Sequence, residues 1–209
     1  MPNTLALPEP KALLKKCKSL ALLDAIHCQE WHLRYFSHNA HWHKDEQMAS
    51  MRDGEGNDYF VWFSPCGVAI KGCFIEDGLS GHPQILQNTR ALIPAQFAGF
   101  MQEAAFSIDE ASFLIWFDEP SQRWIKAGAA ENGLQQNDGC NDLMQWLMGD
   151  ALFYQNWAME YYEESIELSF TQHIFQFKPI SLKFIQSFVA HLDKQQLLED
   201  IHEIGYPCQ

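Results

Sequence analysis

Cations are scarce in this 209-residue chain: 14 Lys and Arg stand against 27 Asp and Glu, a formal net charge of −13. Binding a phosphate backbone takes clustered cations, so this balance excludes a general nucleic-acid partner. Long apolar runs are lacking too. The longest strictly apolar runs are five residues, Tyr59 to Phe63 and Phe113 to Phe117, where a bilayer span takes about 18 or more. No membrane helix is expected, and no membrane partner. A signal peptide places its charges before an unbroken apolar core. Here Lys11, Lys15, Lys16 and Lys18 lie inside the first apolar stretch, so none is expected. No C-x-x-C pair and no N-x-[ST] acceptor occur. The six cysteines, at 17, 28, 66, 73, 140 and 208, sit in a chain too long and core-rich to read as a disulfide framework. Reduced, mostly buried thiols in a cytoplasm are the expectation.

What is present is a core. Hydrophobic residues make up 47% of the chain and 28 residues are aromatic, which is too much apolar surface to leave in water. Residues 1–10 hold three prolines and read as a loose arm. A helix follows over about 11–27, with Leu13, Cys17 and Leu20 on its apolar stripe and Lys11, Lys15 and Lys18 as a basic ridge on another face. The period then changes to two. Trp31, Leu33 and Tyr35 alternate with polar residues, and a run over 42–52 reaches the turn formers Asp53 to Asn57. Tyr59 to Phe63 is apolar at every position, so a central strand covered on both faces is expected. Val68 to Phe74 reads as the next strand.

Residues 76–92 read as irregular. A short helix is expected after Ile93, with Pro94 at its first position and Phe97, Phe100 and Met101 facing inward. Ala111 to Phe117 and Arg123 to Ala127 form a second hairpin, and 128–140 a Gly/Asn/Gln loop. Everything after 141 reads as helical. Phe153, Trp157 and Tyr161 are spaced by four, and burial of Trp157 and Tyr161 is expected. Ser181 caps a stripe of Leu182, Ile185, Val189 and Leu192; Asp193 with Gln196 resembles a capping box, and Gly205 with Pro207 a stop. The sum is an α+β fold, an antiparallel sheet of about five or six strands packed by helices, with a helical C-terminal third. A single domain over 1–209 is expected. A subdivision into 1–130, mainly β with an N-terminal helix, and 141–209, helical, stays open.

Three groups of residues could carry function. His38, His41 and His43 are the first. Residues two apart on a strand share a face, so His41 and His43 could ligate zinc if His38 or a distant Asp joined them. This is the basis for an alternative reading as a metal-dependent hydrolase. The plainer reading is a polar strand end. Cys66, between Pro65 and Gly67, could be a nucleophile only with a base such as His82 beside it. Asp53-Gly54-Glu55-Gly56-Asn57-Asp58 lacks the sixth-position Gly and twelfth-position Glu of a calcium loop and reads as a hairpin turn.

The charge distribution is the third group. No Lys or Arg occurs between Lys126 and Lys178, a stretch that holds eight acids. Glu160, Glu163, Glu164 and Glu167 follow i, i+3, i+4, i+7 and would share one face of a continuous helix. Like charges at that spacing destabilise an isolated helix by about 0.2–0.5 kcal/mol per pair, so a compensating cation is expected. It could come from a basic protein partner, from the Lys11/Lys15/Lys18 ridge, or from solvent ions alone.

Met48-Ala49-Ser50-Met51-Arg52-Asp53-Gly54 running into Tyr59-Phe60-Val61-Trp62-Phe63-Ser64-Pro65, together with Glu203-Ile204-Gly205-Tyr206-Pro207, resembles a family of uncharacterised bacterial cytoplasmic proteins. The resemblance implies a bacterial, intracellular setting and carries over no catalytic residue. The leading expectation is a non-enzymatic binding protein without a cofactor, whose acidic face engages a basic protein partner. It is immunity-like by analogy of charge and size only. A scaffold or homo-oligomer subunit is a third reading; the sequence leaves the oligomeric state open.

Overall fold

A computed structural model describes residues 5–76, 78–189 and 192–209. Six strands form one sheet: β1 (Phe36–His43), β2 (Glu46–Arg52), β3 (Asp58–Ser64), β4 (Gly67–Cys73), β5 (Phe113–Asp118) and β6 (Arg123–Ala127). Each pairs antiparallel with its sequence neighbours, so spatial order equals chain order. Helix α1 (Pro10–His27) precedes the sheet, and α2 (Pro83–Leu92) and α3 (Ala98–Gln102) fill the β4–β5 connection. The C-terminal third holds α4 (Cys140–Met148), α5 (Ala151–Tyr161), α6 (Leu168–Phe175), α7 (Leu182–Gln186) and α8 (Lys194–Ile204). This is the expected α+β architecture. No helix among the described residues is long and apolar enough to cross a membrane.

The apolar run in β3 has the expected cause. Tyr59, Val61 and Phe63 enter a large core shared with α1 and α4 to α8. Phe60 and Trp62 point the other way, into a smaller core with Phe97, Phe100 and Phe106. A strand alternates its side chains between faces, so a sheet covered on both sides needs apolar residues at both parities. Each fully buried large apolar side chain contributes about 1.5–3 kcal/mol relative to exposure. The large core draws on the sheet and the C-terminal helices together.

Helix α1 is one-sided only at first. From Ser19 to Ile26 every residue is buried, because this half runs between the sheet and the C-terminal helices. Its lysines reach the acidic stretch through backbone and aromatic groups, not through ion pairs. Lys16 donates to the Gly149 carbonyl, Lys18 to the Gly205 carbonyl at 3.2 Å, and the Lys15 ammonium stands 5.7 Å from the Phe177 ring centre. Lysines near exposed helix-terminal carbonyls answer the negative end of the helix dipole. Among the described residues, no carboxylate of 127–177 pairs with these lysines.

Several local expectations are corrected. Trp31–Leu33 is a 3-10 turn, not a strand, and Trp31 and Leu33 are exposed. The run over 42–52 is broken by a turn at Lys44 and Asp45, where Asp45 has φ +62°. Pro83 begins α2 inside the stretch expected to be irregular, a position where its missing N–H is harmless; residue 77 of that stretch lies outside the described residues. The expected arm over 1–10 is held from residue 5 onward: Leu7 is buried and the Pro8 carbonyl accepts from the Trp124 indole at 3.0 Å. Its first four residues lie outside the described ones. Ser181 caps α7 as expected, but the helix stops at Gln186, short of Val189; the rest of that stripe crosses residues 190–191, outside the described ones. Asp193 caps α8 through the Gln195 and Gln196 N–H groups, and Gly205 ends it with φ +66°.

Candidate partner-binding surface

The acidic stretch builds α4, α5 and the connector to α6. Asp150 caps α5 by accepting from the Phe153 N–H at 2.9 Å. Ala151, Tyr154 and Ala158 face the core at helical spacing. The opposite side leaves large apolar groups in water: Leu152 is 48% exposed, Phe153 36% and Met159 39%. Trp157 is only half-buried and Tyr161 is exposed, contrary to the expected burial of both; Tyr154 is the aromatic that enters the core.

The helix ends at Tyr161. Glu163 takes a left-handed conformation, φ +54°, and residues 163–167 are not helical. The four glutamates therefore do not form one helical face. Breaking the helix removes the repulsion that a continuous i, i+3, i+4 array would carry. Instead, Glu164 and Glu167 meet at a cavity of about 330 Å³ under the connector, which Glu160 and Glu163 do not line. Ile166, Phe170, Phe188 and Val189 make its apolar walls, and His27 at the end of α1 completes it.

His27 is the residue that binds connector to core. Its Nδ1 lies 3.0 Å from Glu164 Oε2, its side chain is 2% exposed, and its Nε2 has no hydrogen-bond partner among the described residues. Burial lowers its pKa against the opposing pull of Glu164. The ring stacks on Tyr162 with centres 5.8 Å apart. One turn earlier on α1, Asp24 is fully buried. Its Oδ1 accepts from the Tyr154 hydroxyl at 2.8 Å and its Oδ2 from the Phe36 N–H at 2.7 Å. Burial raises its pKa to about 6, although both hydrogen bonds favour the carboxylate. Asp24 thus ties α1 to β1 and α5, and His27 ties α1 to the connector. The sequence reading missed both. The available signal was Asp24 itself, a lone carboxylate inside the run from Leu20 to Ile26.

The histidine group is not assembled. Among the described residues, Asn39 to His43 carries a register irregularity against β2, so the two-residue alternation fails there. His41 stacks on His202 at 5.0 Å between ring centres, and its Nε2 lies 3.2 Å from the His202 carbonyl. His43 instead lies 3.1 Å from Glu103. His38 is buried, without a hydrogen-bond partner on either ring nitrogen among the described residues, and burial pushes its pKa down to about 3. No set of three or more His, Cys, Asp or Glu able to hold a metal occurs among the described residues. Cys66 is exposed on the β3–β4 turn and no hydrogen bond joins it to His82 among the described residues. Asp53 closes the hairpin turn, accepting from the N–H groups of Glu55 and Asn57. All six cysteines are unpaired. Comparison with protein-family models, with curated proteins and with solved structures found no match to this chain.

Proposed function

We propose that this is a binding protein that takes a basic protein partner on the surface made by α5 and the 162–167 connector. One observation carries the reading: a stretch of 51 residues without Lys or Arg exposes Leu152, Phe153 and Met159 along α5, and the connector that follows the helix edges a cavity with Glu164 and Glu167. An apolar centre with a charged rim is the usual anatomy of a protein interface, and a cavity of this size falls in the range that accepts a side chain or small ligand. A lysine or arginine of the partner enters the cavity, its stem on Phe170 and Phe188 and its charge between Glu164 and Glu167. Glu160 and Glu163 lie outside the cavity and act through longer-range attraction, which sets association rate more than affinity. The six unpaired cysteines support a reducing compartment, and the bacterial cytoplasm implied by the sequence resemblance belongs to the same proposal. The immunity-like analogy stands on charge and size alone. The histidine-based hydrolase has no comparable convergence of residues behind it.

The test uses a synthetic amphipathic helix of Lys and Leu and its Glu-for-Lys counterpart, titrated calorimetrically into the full chain. The expected result is preference for the basic peptide and a loss of about tenfold or more, roughly 1.4 kcal/mol, in Glu164→Gln/Glu167→Gln. Leu152→Glu/Met159→Glu is expected to weaken binding similarly without unfolding the protein, since both positions face water. Equal affinity of the double Gln variant at low salt would overturn the proposal.

A further inference from the structure

A separate cavity of about 220 Å³ opens beside the edge strand, where the Trp31–Leu33 turn meets the start of β1 and the end of β2. Its lining reverses the sign of the chain. Arg34, Arg52 and His32 contribute to it, and no Asp or Glu does. Arg34 is already neutralised by a two-pronged contact with Asp200, at 3.0 and 2.7 Å. Arg52 is not. Its cross-strand neighbour Asp58 gives Oδ1 to Lys71 at 2.6 Å, and Asp53 spends both oxygens on Glu55 and Asn57. Among the described residues Arg52 makes no ion pair, and its guanidinium sits 5.5 Å from the Trp31 ring centre.

Hydroxyl donors stand beside it. Ser37 and Ser50 are directly opposed across β1 and β2, and Arg52 lies two residues beyond Ser50, so all three leave one face. Ser50 is 4% exposed and lines the cavity, yet its hydroxyl has no protein partner among the described residues. The residue lines the cavity, so its hydroxyl can bond a ligand atom there. Aromatic surface completes the cavity: Trp31 is 51% exposed, Tyr161 46%, and Tyr35 packs on Tyr161 with ring centres 5.6 Å apart. One cation without a contact ion pair calls for one negative charge, aromatic walls call for a flat body, and a volume below the usual ligand range of about 300–1,000 Å³ limits that body to one ring. We propose that this cavity binds a small aromatic monocarboxylate, with Arg52 and Ser50 holding the carboxylate and Trp31 and Tyr161 flanking the ring.

The test is an NMR titration of the full chain with benzoate, benzamide and inorganic phosphate, following the Trp31 indole resonance assigned through Trp31→Phe. Saturable benzoate binding is expected, with benzamide and phosphate at least about tenfold weaker and Arg52→Gln weakening benzoate by about tenfold. Arg52 is exposed, so that variant keeps the fold; Ser50→Ala is a second variant, expected to weaken benzoate binding as well. Glu164→Gln/Glu167→Gln should leave benzoate binding unchanged, which separates this site from the basic-partner surface. The proposal is overturned if benzoate fails to saturate below about 10 mM, if Arg52→Gln binds as the parent does, or if benzamide or phosphate matches benzoate.

Discussion

Asp24→Asn isolates the most unusual titration in the molecule. The wild-type carboxylate ionises near 3.8 when exposed and at about 6 when buried on α1. A raised pKa means the folded state holds its proton longer than the unfolded state does. The carboxylate therefore costs nothing below about pH 4, and stability falls as pH rises through the window to about 6, where the loss is complete. The full loss is about 3 kcal/mol, from ionisation moved from 3.8 to about 6. Asparagine fills the same space, can still accept from the Phe36 N–H, and cannot ionise. The stability difference between wild type and Asp24→Asn should therefore move against the wild type by about 2 kcal/mol between about pH 4.5 and pH 7. His27 runs the other way. Its pKa is lowered, so its contribution to stability grows as pH rises towards its ordinary value, but it is common to both proteins and cancels in the difference. Urea denaturation at four or five pH values, with m checked for constancy, measures it. A difference that stays flat across this range would refute the argument that burial dominates the Asp24 carboxyl.

Two further outcomes test the packing. Asp200→Ala should destabilise by about 3–5 kcal/mol in urea, since Arg34 and Asp200 are 4% and 5% exposed and the truncation strands a buried guanidinium; a loss under about 1 kcal/mol would mean that water reaches Arg34. Gly205→Ala should lose about 1–2 kcal/mol from the left-handed backbone alone. It should lose more from packing, because the new Cβ would stand 2.8 Å from that of Ala40; a melting temperature equal to wild type would contradict this account of how α8 closes on β1.

Local chemistry made most of the elements legible. Tyr59 to Phe63 reads as a central strand because two covered faces demand apolar residues at both parities, and Asp193 and Gly205 mark the ends of α8 because capping is a contact with near neighbours. The failures share a cause. Trp31 and Leu33 alternate as a strand would, yet no partner strand lies beyond β1 at that point. The glutamate spacing fits a helix, but Glu163 turns the chain out of it, and nothing within four residues announces that turn. His41 and His43 obey the two-residue rule until a bulge separates them.

The candidate surface was legible as charge and hidden as geometry. The Lys- and Arg-free stretch is visible by inspection, and two of its glutamates do reach the cavity. What places them there is His27, 137 residues from Glu164, and behind it Asp24, 130 residues from Tyr154. Such pairs leave no periodic trace, because each partner is a single polar residue in an otherwise apolar segment. Yet both sit on α1, three residues apart and so one helical turn from each other. A helix buried on every side from Ser19 to Ile26 gains nothing from a carboxylate unless that carboxylate orders something. Asp24 fixes β1 and α5 against α1, and His27 then sets the connector at the end of that same helix. A polar residue in an apolar helix is therefore a reason to look one turn along it for the residue that meets the surface.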